Sequence, residues 1–122
     1  MAKKDLTFKK LHDINRKRCE ESYHPIDDWS PSDWFMSAIS ELGEGGNFLK
    51  KIRRLDSKIN NGLTKKERKK KEVELTKEVA KELADTLCYL DLLATRLGID
   101  LESALIEKFN EVSDRVGSKY KL

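Results

Sequence analysis

Apolar residues recur at intervals of three and four along most of this chain, among densely charged positions. Residues 7–22 place Phe8, Leu11 and Ile14 at this spacing, which predicts a short amphipathic helix. Residues 23–30 contain a proline and two adjacent aspartates, which predicts a connection. The first part of the chain therefore predicts a helix followed by a connection, with no strand.

A second helix is predicted from Ser30 to about Leu55. Serine favours the N-cap and Pro31 the first helical position, so this start is well marked. The apolar stripe of this helix consists of Phe35, Ile39, Leu42, Leu49 and Ile52. Three glycines interrupt it: Gly43, Gly45 and Gly46. Each weakens a helix, so they indicate either close helix packing or room for a ligand or metal against the backbone.

A third, long helix is predicted after a loop at residues 56–63. Thr64 followed by Glu67 forms a capping-box pattern, which predicts the helix start, and the periodicity continues to about Leu97. Its apolar positions are Val73, Val79, Leu83, Leu87, Leu90, Leu93 and Ala94. Gly98 ends this helix and Asp100 caps a last one over residues 101–115.

Composition adds an expectation about assembly. The chain has 122 residues, of which 38% are hydrophobic and 39% charged, against about 25% charged residues in typical domains. A domain of this size buries only about two-thirds of its unfolded surface. We therefore predict a single all-α domain over residues 1–122, a bundle of four to five helices that completes its core by oligomerisation.

The charge distribution is uneven, although the net charge is only +3. Residues 65–71, KKERKKK, carry a net charge of +5, which leaves −2 on the rest of the chain. The favoured interpretation is a solvated helix start or loop, and the alternative is an electrostatic contact for polyanions. Because the basic excess is local, we do not expect a nucleic-acid partner from composition alone.

The sequence also indicates a compartment. No apolar run approaches the roughly 18 residues of a membrane helix, and no secretory signal is expected. Cys19 and Cys88 form no ligand cluster, which favours free thiols in a reducing environment. We expect a cytoplasmic protein with no membrane partner.

Two pairs of acids are the strongest candidates for chemistry. Glu41 and Glu44, and likewise Glu82 and Asp85, are three residues apart, so each pair shares a helix face beside an apolar stripe. Carboxylates at the edge of a core lose part of their hydration, and a bound Mg²⁺ or Mn²⁺ offsets that cost. A di-iron bundle needs Glu-x-x-His on two helices, and the sequence offers this spacing once, at Glu21 and His24, which disfavours such a bundle. The alternative is a set of surface acids, as for residues 72–78.

Several polar and aromatic residues are candidate substrate contacts. Lys108, Asn110 and Arg115 offer phosphate donors on the last helix, and Asn47, Lys50 and Lys51 follow the first acid pair. Solvated surface charge is the alternative for all of them. The aromatic candidates are Tyr89, which contacts a sugar or base or packs in the core, and Trp29 and Trp34, which stack on a base or cover the bundle end. His24 is expected as a turn residue, with substrate contact as the alternative.

The segments ISELGEGGNFLKKI and KELADTLCYLDLLATRLGIDLESALIEKFNEVSDR together resemble the MazG-like all-α nucleoside triphosphate pyrophosphohydrolases. The resemblance extends from about Trp34 to Arg115 and is greatest to compact single-domain members found in phage genomes. The resemblance is specific because ExxE at 41–44, ExxD at 82–85, GIDL at 98–101 and the following Lys108 occur together in this order and spacing.

This resemblance implies a function. The family binds Mg²⁺ through the acids matched here by Glu41, Glu44, Glu82 and Asp85. It cleaves a nucleoside triphosphate between the α and β phosphates, which releases a monophosphate and pyrophosphate. The resemblance also implies a phosphate contact for Lys108, a basic partner in Arg115, a nucleotide-proximal Tyr89, and a homodimer or homotetramer in the cytoplasm of a bacterium or phage-infected host.

The chain departs from the family pattern at two positions. Many relatives have an asparagine four residues after the lysine, where this chain has Val112, so the role of Asn110 is less secure. Relatives often have a tryptophan near Lys51, so base preference is open. The mechanism expected is metal-assisted hydrolysis, in which Glu41 or Glu44 orients the attacking water.

Two alternatives to this enzyme remain open. One is a non-enzymatic helical module that binds nucleotide or nucleic acid through residues 65–71. The other is a nucleotide hydrolase that releases inorganic phosphate rather than pyrophosphate.

Overall fold

The computed structural model describes residues 5–56 and 62–122, and these residues are helical throughout apart from short connections. The helices are α1 (Phe8–Ser22), α2 (Pro31–Arg54), α3 (Lys65–Leu97) and α4 (Leu101–Arg115), with a 3-10 turn at Ile26–Asp28. Within the described ranges there is no β-strand. The all-α prediction is confirmed.

The predicted start of α3 is confirmed at atomic detail. The Thr64 backbone N–H donates to Glu67 Oε2 at 2.8 Å, and the Glu67 N–H donates to Thr64 Oγ1 at 3.1 Å. This reciprocal pair satisfies two of the backbone donors that a helix start leaves free. The predicted loop at residues 56–63 lies largely outside the described residues, since 57–61 are not among them.

The junction between α3 and α4 also follows the sequence prediction. Gly98 has φ +69°, the left-handed conformation that glycine adopts easily, and the Ile99 N–H returns to the Ala94 carbonyl at 2.8 Å. Asp100 Oδ1 accepts from the Ser103 N–H at 3.1 Å, which caps α4. These hydrogen bonds from the Ser103 backbone and side chain hold the pKa of Asp100 below its ordinary range.

The described residues fall into two compact units. The first contains the chain up to Ser32 together with Asp91–Leu122, and the second is Asp33–Leu90. In the first unit a polar network lies at the centre. Asp91, only 2% exposed, accepts from Asn15 Nδ2 at 2.9 Å and lies 3.4 Å from His12 Nδ1. A buried carboxylate needs such partners to offset its lost hydration.

The predicted apolar stripe of α1 is only partly correct. Ile14 is 57% exposed, whereas Asn15 and Cys19 are buried. The face of α1 that packs is therefore rotated by one residue. The cause is the Asn15–Asp91 pair, which a pattern based on apolar residues alone does not detect.

The second unit pairs α2 with α3, and here too the packed face differs from the predicted stripe. The buried residues of α2 are Trp34, Ala38 and Gly45. Phe35, Ile39, Leu42 and Leu49, predicted to face the core, are each about half exposed in the single chain. Small residues on the packed face let the two helices approach closely. This places Glu41, which lies three residues after Ala38, on that same half-buried face.

No helix among the described residues is both long enough and apolar enough to span a bilayer.

Candidate metal centre

Three carboxylates converge where α2 faces α3. Glu41 of α2 and Glu82 and Asp85 of α3 each offer an oxygen, and these oxygens all lie within 4.8 Å of one another. Glu41 and Glu82 are half-buried and Asp85 is exposed. Glu44, predicted as the fourth acid, is exposed and is not part of this group.

The close approach of the two helices creates this convergence. Gly45 is buried on α2, and a Cβ atom built at this position would lie 3.3 Å from Glu82 Cβ. The same construction at Gly43 or Gly46 meets nothing within 4 Å. Of the three glycines, Gly45 therefore serves close packing, and the packing occurs beside the acid cluster.

Glu82 is the residue of the cluster whose ionised form is disfavoured by its surroundings. Its pKa is raised, first because of a side-chain hydrogen bond with Glu41, and further by burial and by the negative charges of Glu41, Asp85 and Glu78. Its Oε2 atom is buried and has no hydrogen-bond partner in the described part of the chain. A buried acceptor without a donor is costly, and a bound cation would satisfy it.

The donor set suits a hard divalent cation. All three ligands are carboxylates, which favour Mg²⁺, Mn²⁺ or Ca²⁺ over softer metals. The three carboxylate oxygens lie within 4.8 Å of one another, so a single divalent ion could contact all three residues after side-chain adjustment.

A cleft of about 540 Å³ lies further along the same pair of helices. Lys51 and Arg54 of α2 and Lys71 and Glu78 of α3 are among its lining residues. Glu78 lies one helical turn before Glu82, so the cleft begins next to the acid cluster. The cleft thus continues from the acid cluster toward cationic side chains that lie ten or more residues away along each helix.

The sequence predicts Lys51 as a substrate contact and Lys71 only as part of the basic tract at 65–71, whereas Arg54 and Glu78 are not among its candidate site residues. Glu78 lies four residues before Glu82 and therefore on its face, a spacing that identifies it as a neighbour of the cluster. Its carboxylate also accepts from Lys81 Nζ at 2.8 Å, which raises the pKa of that lysine.

Tyr89 and Trp34 pack against each other in the second unit. Their ring centroids are 6.2 Å apart, and Trp34 is only 2% exposed. For Trp34 the structure favours the packing interpretation, because a ring this buried offers no face to a base. Tyr89 is half-buried and retains both interpretations. Asn47 is exposed on α2, and Lys51 Nζ lies 5.2 Å from the Phe48 ring centroid.

The remaining predicted contacts lie in the first unit. On α4, Lys108 Nζ donates to Glu111 at 2.6 Å, Asn110 Nδ2 donates to the Leu122 carbonyl at 3.2 Å, and Arg115 is exposed. Asn110 thus has a structural partner in the C-terminal segment.

The other two residues form a small cluster before α2. The His24 and Trp29 rings lie 4.6 Å apart, and the Trp29 carbonyl accepts from Arg96 Nε at 3.0 Å. His24 Nδ1 lies 2.9 Å from the Pro25 carbonyl, as expected of a turn residue.

Comparison of the chain with models of known families, with characterised proteins and with solved structures finds no match. The assignment of a function therefore depends on the site itself and on the sequence motifs.

Proposed function

We propose that this protein is a Mg²⁺-dependent nucleoside triphosphate pyrophosphohydrolase of the MazG-like type. The observation that carries the proposal is the convergence of Glu41, Glu82 and Asp85, with oxygens within 4.8 Å of one another and a buried Glu82 oxygen that lacks a partner. Two of the three belong to the ExxD motif and the third to the ExxE motif, so independent sequence segments meet at one point.

In this proposal the three acids hold the metal, and Mn²⁺ is an acceptable substitute. The bound ion supplies charge neutralisation for the triphosphate and a lowered pKa for bound water. Glu82 supplies its unpartnered oxygen, and the exposed Asp85 supplies a ligand at the solvent side. Glu41 orients the attacking water, with exposed Glu44 as the other candidate for this task.

In this proposal the cleft of about 540 Å³ receives the part of the substrate that extends beyond the metal. Lys51, Arg54 and Lys71 line it, ten or more residues from the acids along their helices, and offer point-charge and bidentate donors. The family resemblance alone assigns Lys108 and Arg115 to the leaving pyrophosphate and Tyr89 to the nucleotide, and Asn47 and Asn110 stay candidate phosphate contacts. Cys19 and Cys88 form no disulfide in the described part of the chain, which fits a reducing compartment, so we expect the reaction to occur in the cytoplasm.

A turnover panel tests the proposed reaction. The eight common ribonucleoside and deoxynucleoside triphosphates are incubated with the protein and Mg²⁺, and monophosphate, diphosphate, pyrophosphate and phosphate are resolved. We expect pyrophosphate and a matching monophosphate in equal amounts from one or a few substrates. Diphosphate with inorganic phosphate would instead indicate cleavage of the terminal phosphate and would refute the proposed bond.

The panel needs a variant that separates the site from contaminating activity. Asp85→Asn removes one ligand charge without changing side-chain size, and Glu107→Gln makes the same type of change at an exposed position on α4. Loss of pyrophosphate release in the first variant alone assigns the activity to the acid cluster. Equal turnover in both variants would contradict the assignment.

We also propose that the protein is a homodimer or homotetramer. Half-exposed apolar residues lie along the outer faces of α2 and α3, including Phe35, Ile39, Leu42, Leu83 and Leu87. Apolar surface of this extent is uncommon on monomers. Light scattering coupled to size exclusion should give a multiple of the 14.1 kDa chain mass, and Leu83→Lys with Leu87→Lys should shift it toward the monomer. A monomeric wild-type protein would refute this.

A further inference from the structure

A row of lysines occupies one face of the first half of α3. Lys65, Lys66, Lys69, Lys70 and Lys77 line a shallow groove around Val73. Lys65 and Lys69 are four residues apart, as are Lys66 and Lys70, and Lys77 follows Lys70 by seven residues, so all five lie on the same side of the helix. The sequence shows a basic tract over residues 65–71, but only the helix shows that its lysines align and continue to Lys77.

This lysine face is part of a larger basic end of the second unit. Residues 50–56 and 62–71 contain ten lysines and arginines but two acids, a net charge of +8, and they include the basic last turn of α2. All the described residues together contain 22 basic and 22 acidic side chains. The positive charge is therefore concentrated at one end of the helix pair, and the rest of the described chain is correspondingly acidic.

Few of these charges are neutralised locally. Of the five lysines on the face, Lys69 alone forms an ion pair within the described ranges, at 3.8 Å from Glu72. Glu74 is the single acid that lines the groove. The start of α3 adds the positive end of the helix dipole.

We infer that this lysine face binds the phosphate backbone of double-stranded DNA. Twelve residues separate Lys65 from Lys77, so the row extends for about 18 Å along the helix. This length matches about five consecutive phosphates at the axial spacing of about 3.4 Å per strand. The lysine face itself contains none of the residues that the hydrolase proposal assigns to metal or substrate, so the two proposals can be tested separately.

The chemistry of the groove favours DNA over other anions. The row is longer than the triphosphate group of a nucleotide, which would contact only a part of it. Val73 is the one apolar residue that lines the groove, so there is little surface to insert into a membrane. The lining contains no aromatic side chain for base stacking. Contacts are therefore with phosphates, and binding should be independent of base sequence.

Fluorescence anisotropy with a labelled duplex of about two helical turns tests the inference, with the full chain titrated at several KCl concentrations between about 50 and 200 mM. We expect a slope of log K against log salt of about −3 to −4, since each neutralised phosphate contributes about −0.9. A triple variant, Lys66→Gln, Lys70→Gln and Lys77→Gln, should make the slope shallower by about 3. Glutamine preserves helix propensity, and circular dichroism verifies that the helix content is unchanged.

A matched control distinguishes the face from net charge. Lys10→Gln, Lys17→Gln and Lys119→Gln remove the same three charges from exposed positions outside the second unit. We expect this variant to keep the wild-type slope. Equal losses in the two triple variants would overturn the inference. No binding of the duplex at low salt would overturn it, as would binding only to vesicles of anionic phospholipid, and neither result would affect the hydrolase proposal.

Discussion

Gly45 of α2 faces Glu82 of α3 so closely that an added Cβ would lie 3.3 Å from the Glu82 Cβ atom. Contacts of this length force one neighbour to move by a few tenths of an ångström. The neighbour in this case is the acid with the raised pKa and the unpartnered oxygen. Helix packing and the candidate metal site are therefore coupled at a single position.

Replacement of the two adjacent glycines should separate these effects. Gly46→Ala meets nothing within 4 Å, so we expect the gain in helix propensity, about 1 kcal/mol, and a rise in Tm of about 4 °C. Gly45→Ala should show little of this gain, because its methyl group displaces Glu82. Thermal unfolding followed by circular dichroism measures both.

The same pair should differ in metal binding. We expect Gly45→Ala to weaken Mg²⁺ affinity by about tenfold, as a shifted ligand does, and Gly46→Ala to leave it unchanged. Isothermal titration with Mg²⁺ alone is the measurement. If both variants bound Mg²⁺ as the wild type does, the packing would not control the position of the acids.

The two acids of the ExxE motif should contribute unequally. Glu41 belongs to the cluster and Glu44 does not, although the sequence predicts both as ligands. We expect Glu41→Gln to reduce kcat by at least about 100-fold and Glu44→Gln to reduce it by less than about tenfold. Initial rates at saturating Mg²⁺ decide this. A larger loss for Glu44→Gln would show that the bound metal recruits that side chain.

The sequence predicts the helices of this protein well because their ends are locally encoded. Thr64 with Glu67 and Gly98 with Asp100 act through hydrogen bonds within a few residues, and each is found as predicted. The rotation of each helix is encoded by partners distant in sequence. Asn15 is buried because Asp91, 76 residues later, accepts its hydrogen bond, and no local pattern contains that information.

The candidate site is predicted in part for the same reason. Spacing correctly placed Glu82 and Asp85 on one face, since both lie on one helix. Spacing also predicts Glu44 beside Glu41, because two acids three residues apart can bind the same metal ion. The packed face of α2, however, is the one that carries Trp34, Ala38 and Gly45, and Glu44 is not on it. The lysine face could not be predicted from the basic tract alone. It becomes visible only because α3 is an uninterrupted helix as far as Lys77, which aligns these lysines on one side.

Asp100 should make α4 sensitive to acid. Hydrogen bonds from the Ser103 backbone and side chain lower its pKa, so the folded state favours the ionised cap. Its stabilisation is complete above the ordinary aspartate pKa and is lost as pH falls through the lowered value. We expect Asp100→Ala to reduce Tm by about 4 °C at neutral pH. Asp100→Asn still caps the helix, so its Tm at neutral pH should lie between those of the wild type and Asp100→Ala. In acid its Tm should approach that of the wild type.

That ordering is checked by thermal unfolding between pH 7 and the acid limit of solubility. Ser118→Ala, which removes a hydroxyl that lies outside any helix and accepts from the Tyr120 N–H, is a comparison substitution near the end of α4. If Asp100→Asn and the wild type had the same Tm at every pH, the charge of Asp100 would contribute nothing beyond the cap.

Glu82 should show the opposite dependence on pH, because its pKa is raised rather than lowered. The folded state without metal prefers Glu82 protonated. Its ionisation therefore costs stability progressively as pH rises above the ordinary glutamate pKa, and the full cost applies above the raised value. At neutral pH without metal, we expect Glu82→Gln to have a higher Tm than the wild type, and below about pH 4 the two should coincide.

Mg²⁺ should reverse this order. At a Mg²⁺ concentration of ten times its dissociation constant, linkage predicts a rise in Tm of about 5 °C for the wild type and little for Glu82→Gln. Glu107→Gln, an exposed change on α4, should respond to Mg²⁺ as the wild type does. If Glu82→Gln were destabilised without metal, the ionised form of Glu82 would not be costly in the folded state. If the Tm of Glu82→Gln rose with Mg²⁺ as much as that of the wild type, Glu82 would not be a ligand. The crossing of the two Tm values, one order with EDTA and the other with Mg²⁺, is the specific signature of an acid held in place for a cation.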